Sequence, residues 1–513
     1  MSRKFLINIF RNQMKYCFLI FIVNLILSNC RAEVRLSGFF GSHMVIQHGQ
    51  EIIINGMASP GENVSLTLGN EKRNTIANAS GEWAVGYSPR LPSFEPVKLI
   101  VEASNKIILD NLLFGDVWLC SGQSNMQWTL RDSIGGPELA DSRDLQKIRL
   151  LHLRGRPQTQ GLEFSETELA KCNPKDYLTG SWEMISPESA LDFSGVAIFF
   201  GQELIKHLNI PIGLVQNAVG GTPIESWLSR ELILSDPKLK SLMEKDWNTN
   251  EMINSFCRDR AQLNLKNLNP QLKLRRPLES HPYHPGFMHE SGIKPLQKMK
   301  FKGVIWYQGE SNAHDPELYL HMFRKLIQSW RQFFHQPELP FLYVQLPNLE
   351  NGINWPEFRE VQRRSLSMPA TGMAVTIDVG DPRDVHPRLK LPVGHRIALI
   401  ARAIAYGESI EYSGPLVQSA ILKDKNIQVN FSHSENGLKT SDGNGPSGLE
   451  LAGNDGVFRS VTGEIQGGAI VIATVNLNGP FQLRYGWAPN PKCNLQNREG
   501  LPASPFQIRV EEK

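Results

Sequence analysis

Four segments of the chain place polar, chemically competent residues directly after apolar, strand-like runs. The first is Gly115-Asp-Val-Trp-Leu-Cys-Ser-Gly-Gln-Ser-Asn-Met126, where an apolar run gives way to small and polar residues around Ser124. A serine leaving a strand end can be exposed to a substrate and backed by backbone N–H groups. Taken alone, such a serine is a turn or cap residue, and the segment is not the Gly-x-Ser-x-Gly elbow of the α/β-hydrolases. The second segment, Gln216-Asn-Ala-Val-Gly-Gly221, ends in a glycine pair that permits close approach of the backbone to a ligand. The third, Trp306-Tyr-Gln-Gly-Glu-Ser-Asn312, follows an apolar strand with four hydrogen-bonding side chains. The fourth, Asp378-Val-Gly-Asp-Pro-Arg-Asp-Val-His386, sets Asp381 and Asp384 close to an imidazole that a carboxylate can orient. Each signal is weak by itself. Together they supply a nucleophile, oxyanion donors, a base and an orienting acid, the parts acyl transfer requires.

Such groups need a rigid frame, and the texture of the chain predicts one. From about 113 to 410, apolar runs at 117–119, 213–216, 303–307, 341–345 and 373–377 alternate with stretches of helical spacing. Phe199, Leu204 and Leu208 recur through one stretch, and Leu318, Phe323, Leu326 and Trp330 through another. Alternating strands and helices predict an α/β fold with a parallel sheet covered on both faces, its catalytic groups on loops at the carboxyl ends of the strands. Residues 33–112 carry short alternating runs punctuated by Pro60-Gly61 and Ser80-Gly81, the pattern of a small antiparallel β-domain. Residues 411–513 are β-rich again. The stretch from 231 to 300, with a Pro-rich part from Pro270 to Pro285, reads as an insertion bordering the active site.

Residues 1–32 differ in character. Lys4, Arg11 and Lys15 precede an apolar run of 12 residues, Tyr16 to Leu27, and Ala32 offers a small-residue exit. That is the pattern of a secretory signal peptide, since a spanning helix needs roughly 20 residues. The protein is therefore expected to be secreted or periplasmic. Leu27-Ser-Asn-Cys30 loosely resembles a lipobox, which makes a lipid anchor on Cys30 the alternative. With 54 Lys+Arg against 51 Asp+Glu, nothing points to nucleic acid or an anionic membrane as partner. Cys120, Cys172, Cys257 and Cys493 show no metal-ligand spacing; they either pair, in one of three connectivities, or are free buried thiols.

Longer motifs sharpen this reading. Gly122-Gln-Ser-Asn-Met126, Gly303-Val-Ile-Trp-Tyr-Gln-Gly-Glu-Ser-Asn312 and Gly380-Asp-Pro-Arg-Asp-Val-His-Pro387 resemble the sialate O-acetylesterases. So do Trp355-Pro-Glu-Phe-Arg359 and the run from Tyr485 to Pro505. These enzymes are SGNH-type hydrolases, related to carbohydrate acetylesterases that include acetylxylan esterases. The resemblance implies a flavodoxin-like SGNH sheet, Ser124 as nucleophile and His386 as base. It also implies an oxyanion hole from the N–H of Ser124, that of Gly221 (or Gly220) and the Gln308 amide, with Asn312 the competing side chain. The family's usual Asp-x-x-His is not kept, because Arg383 stands three residues before His386. Asp384 is the expected acid, with Asp381 or no carboxylate as alternatives. Gln123, Asn125, Glu310, Asn312 and Arg359 are expected to bind substrate, an O-acetylated carbohydrate, and no metal or organic cofactor is implied. Arg383, Arg359 and Arg275-Arg276 are candidates to grip a sialate carboxylate. The expected function is removal of acetyl groups from sialic acids, against acetylxylan or another plant glycan, or a glycan-binding protein without catalysis.

Overall fold

The computed structural model describes residues 33–245, 247, 249–267, 281–474 and 478–512. The expected signal segment, Cys30 and the Arg275-Arg276 pair lie outside them.

Six strands form the frame of the site: β1 (Lys106–Gly122), β2 (Ile148–Gly155), β3 (Ile212–Ala218), β4 (Gly303–Tyr307), β5 (Phe341–Val344) and β6 (Thr371–Ala374). They lie in the order β2-β3-β1-β4-β5-β6, and every neighbouring pair is parallel. Antiparallel strands also pair with β2 at one edge of the sheet and with the first half of β1, so the whole is mixed.

The alternation of side chains along these strands explains why the sheet is covered on both faces. Val117, Leu119, Val215, Val304, Trp306, Phe341 and Tyr343 enter one core. Trp118, Cys120, Leu214, Ile305, Leu342 and Val344 enter the other. A strand buried on both faces is a near-continuous apolar run, which is what the sequence shows. Helices α1 (Ser124–Gln127), α2 (Gly195–His207), α3 (Ser255–Asn264), α4 (Pro316–Phe333), α5 (Trp355–Arg364) and α6 (Leu391–Ile404) complete the frame. On the first face α4 brings Phe323, Leu326 and Trp330, and α5 brings Phe358 against Tyr319 at 4.4 Å between ring centroids. On the second, α2 and α6 pack Val196, Phe199, Phe200 and Leu204 with Val393, Ile397 and Ile400. Each such side chain contributes about 1.5–3 kcal/mol by leaving water. The helix starts are capped as their sequences direct. Ser194 accepts from the Ala197 amide ahead of α2, and Asp315, followed by Pro316, accepts from Leu318 ahead of α4.

Two details depart from expectation. β1 runs unbroken through 112/113: its first half pairs antiparallel with Ser93–Glu102, and its second half joins the parallel sheet. The N-terminal strands and the α/β sheet therefore share one strand. The last strand covers Thr371–Ala374 in place of 373–377, because the Val375 carbonyl is taken by Arg396 and the Thr376 hydroxyl donates to the Gln345 carbonyl. Beyond α6 the chain folds into small, mainly antiparallel sheets around Ile427, Val429, Leu451, Ile470 and Leu483. Cys120, Cys172, Cys257 and Cys493 are free thiols. Among the described residues no helix is long and apolar enough to cross a membrane.

Candidate active site

The strand order reverses direction at β1, between β3 and β4, and a cleft of about 700 Å³ opens beyond their carboxyl ends. This is where an α/β sheet leaves room for a ligand. Ser124, Gly220, Gly221, Glu310, Ser311 and His386 all line it.

Ser124 is placed by a tight exit from β1. Gly122 has φ +137°, and a Cβ there would stand 2.2 Å from the Tyr307 carbonyl oxygen, so only glycine passes this close to β4. The Gln123 amide donates to that carbonyl at 3.0 Å, and Ser124 opens the short helix α1. Its Oγ lies 2.8 Å from His386 Nε2.

The loop after β3 is held from both sides. The Gly220 N–H donates to Gln127 Oε1 at 2.8 Å, and the Gly220 carbonyl accepts from Thr159 Oγ1 at 2.7 Å and Tyr283 Oη at 3.0 Å. That carbonyl shares a planar peptide with the Gly221 N–H, which must therefore point the opposite way. Gly221 has φ +74°, and a Cβ would meet Tyr283 Oη at 2.0 Å. Among the described residues no protein atom accepts from the N–H of Ser124 or of Gly221. Two unused donors thus belong to residues lining the cleft beside the serine, which suits an anion.

His386 follows β6 on the segment that closes the cleft. Its ring stacks on Trp128, centroids 5.3 Å apart and planes 16° apart. Asn125 Nδ2 donates to the preceding Val385 carbonyl at 2.9 Å. Burial holds the imidazole below its ordinary pKa; Lys390 adds to this, while Asp384 opposes it. Asp384 Oδ1 accepts from the His386 backbone N–H at 2.8 Å, a turn-forming bond, and lies 3.8 Å from Nδ1. Asp381 instead caps the Arg383 amide. Neither carboxylate is within hydrogen-bond distance of the ring.

The expected binding residues separate into two groups. Gln123 and Glu310 line the cleft, and Gln123 Oε1 faces the amides of Gly309 and Ser311 at 3.4 Å each. Asn125 is buried and fully engaged, donating to Glu310 Oε1 at 2.6 Å and accepting from Lys390 Nζ. Burial raises the Glu310 pKa and lowers that of Lys390 to about 7. Gln308 and Asn312 are buried outside the cleft lining. Gln308 Nε2 donates to Asn312 Oδ1 at 2.7 Å and to the Thr222 carbonyl at 3.4 Å, and Asn312 Nδ2 donates to Glu225 Oε2 at 2.9 Å. Arg359 is wholly buried, and its guanidinium donates to the carbonyls of Leu346, Pro347, Ala488 and Pro489 at 2.7–3.0 Å. Its place in the motif reflects the clamping of the Trp487-Ala-Pro-Asn490 turn, not contact with substrate. Gln127, Trp128, Thr159, Arg260 and Tyr283 line the cleft without having been singled out as site residues. The only signal for Arg260 and Tyr283 was their position within 231–300, expected to border the site.

Residues 286–398 match the family model described as carbohydrate esterase, sialic acid-specific acetylesterase. The chain is 32% identical to mouse sialate O-acetylesterase over 450 residues, covering 78% of this chain and 79% of the relative. Against the human sialate O-acetylesterase the identity is 30% over 426 residues, with 74% and 73% covered. Among solved structures it is similar to a carbohydrate acetylesterase from Xanthomonas citri, with a TM-score of 0.76, 30% identity, and 93% of this chain and 99% of that chain covered. With resemblance of that extent in sequence and in three dimensions, the chain belongs to the sialate O-acetylesterase family of carboxylic ester hydrolases.

Proposed function

We propose that the protein is an exported serine esterase that removes O-acetyl groups from sialic acids. The observation that carries the chemistry is the 2.8 Å contact of Ser124 Oγ with His386 Nε2, beside the unused N–H groups of Ser124 and Gly221. In this mechanism His386 takes the Ser124 proton as Oγ attacks the acetyl carbonyl. The tetrahedral oxyanion is held by the two N–H groups, and removing one such donor typically costs about 3–4 kcal/mol of barrier. Collapse breaks the ester bond, and His386 gives its proton to the departing sugar oxygen. Water, deprotonated by His386, then attacks the acetyl-serine and releases acetate. Asp384 contributes through its charge and its turn. Gln308 acts by bracing the loops after β3 and β4, since its amide nitrogen is engaged away from the cleft.

The choice of sugar is supported by the relatives: both the mouse and the human proteins carry the name sialate O-acetylesterase. An SGNH-type, flavodoxin-like core is supported by the strand order, because with β2 set aside as an addition it becomes β3-β1-β4-β5-β6. Around that core, 113–410, we place N-terminal and C-terminal β-regions at 33–112 and 411–513. Export rests on the basic lead and apolar run of residues 1–32. Acetate release from O-acetylated sialic acids and from acetylated xylan fragments, measured in parallel, tests the substrate. Faster release from the sialates is expected; release from xylan alone would overturn the assignment.

A further inference from the structure

The cleft has a charge pattern that the chemistry at Ser124 does not use. Among the described residues lining it, Asp132 and Glu310 are acidic, and apart from His386 the single basic side chain is Arg260. Arg260 sits on α3, and that helix is fastened at both ends. Before its first turn, Asn254 Nδ2 donates to the Ser311 carbonyl at 3.0 Å. At its last residue, Asn264 Nδ2 donates to the Gln160 carbonyl at 2.8 Å and accepts His281 at the same amide's oxygen, 3.1 Å away.

The guanidinium itself is also fixed. Its Cζ lies 4.9 Å from the centroid of the Phe256 ring, and Nη1 donates to the Thr159 carbonyl at 2.9 Å. Thr159 in turn holds the Gly220 carbonyl, so one residue links Arg260 to the peptide that carries the Gly221 N–H. Among the described residues Arg260 has no carboxylate partner, and the Thr159 carbonyl is the one acceptor it uses. A guanidinium carries five N–H donors in a planar fork that matches a carboxylate. A cation held by stacking and one hydrogen bond, with its other donors unassigned in a substrate cleft, is preorganised for an anion.

We infer that Arg260 binds the carboxylate of the substrate and so selects acidic over neutral O-acetylated sugars at this site. The inference rests on the sialate reading above and adds a residue and a charge requirement to it. A neutral acetylated sugar would fill the same cleft but leave the Arg260 donors to water.

The test compares acetate release from an O-acetylated sialic acid with release from its C1 methyl ester, which keeps the acetyl group and removes the charge. The quantity read is the ratio of kcat/KM for acid over ester. Charge-assisted hydrogen bonds of this kind predict a wild-type ratio of roughly 10 to 100, carried mainly by KM. Arg260→Gln should bring the ratio to about 1, and Arg260→Lys should restore part of it as a point charge without the fork. Circular dichroism and thermal midpoints of both variants establish that they fold. Release from both substrates with the same ratio in wild type and Arg260→Gln would overturn the role of Arg260 alone. No release by the wild type from either sialate would overturn the sialate reading, and this inference with it.

Discussion

The imidazole of His386 lies on the indole of Trp128, with 5.3 Å between ring centroids and 16° between planes, while its Nε2 meets Ser124 Oγ at 2.8 Å. The ring plane is thus set by a stack and not by a carboxylate bonded to Nδ1. Trp128→Leu removes the stacking surface, and Trp128→Phe keeps one of smaller area. Replacement by Leu should lower kcat by about tenfold, the scale of a misaligned general base, and Phe should recover most of it. Steady-state kinetics with 4-nitrophenyl acetate would show this; equal losses in the two variants would argue against a positioning role.

The pH dependence follows from the same surroundings. A base must be neutral to accept the serine proton, and burial lowers the His386 pKa below 6.5. The acid limb of kcat/KM should accordingly have its midpoint below 6.5. Lys390 lowers this pKa and Asp384 raises it, so Lys390→Met should move the limb to higher pH and Asp384→Asn to lower pH. Asn keeps the acceptor for the His386 amide, whereas Ala removes both turn and charge. Asp384→Asn should therefore cost about tenfold in kcat/KM and Asp384→Ala clearly more. A loss of about 10⁴ in Asp384→Asn would instead identify a carboxylate bonded to Nδ1 during turnover.

The grip on the Gly220 carbonyl offers a separate handle. Tyr283→Phe and Thr159→Val each delete one donor to it, and each should reduce kcat by roughly 2–10-fold, in keeping with a neutral hydrogen bond of about 0.5–1.5 kcal/mol. The double variant should lose more than either single one, because the Gly221 peptide is then free to turn. Gly221→Ala should be worse than both, since its Cβ would displace the tyrosine hydroxyl. Wild-type kcat in the double variant would show that this peptide does not hold the oxyanion.

The sheet was legible because strands such as Gly303–Tyr307 are apolar on both faces, and α4 repeats large apolar residues at helical spacing. That Ser124 and His386 meet was foreshadowed because each follows an apolar run within a long motif. Direction was not. Gln308, Asn312 and Arg359 occupy the same motifs, yet they turn inward to carbonyls and to one another, and spacing along a chain does not say which way a side chain faces. The shared strand β1 was also hidden, since the turn-like Asp110-Asn111, with Asn111 at φ 58°, punctuates the sequence without ending the strand. Thr159, Arg260 and Tyr283 reach the cleft from distant segments, and only tertiary folding brings them to Gly220.

Arg359 gives a contrast between framework and site. Arg359→Met removes the guanidinium from four carbonyls. Those of Pro347 and Pro489 keep the Trp355 indole and the Leu349 amide as donors, while those of Leu346 and Ala488 lose theirs, which should destabilise the protein by about 3 kcal/mol. The specificity ratio between acidic and neutral substrates should stay unchanged in the folded fraction. Urea denaturation midpoints with the ratio assay would separate these effects; an altered ratio at unchanged stability would return Arg359 to the substrate site.

Ser124 as the nucleophile is tested by locating the covalent adduct of a fluorophosphonate with peptide mass spectrometry. One adduct per chain is expected, on Ser124, formed in step with loss of 4-nitrophenyl acetate hydrolysis and absent in Ser124→Ala. Complete inactivation with Ser124 unmodified and another residue labelled would contradict it.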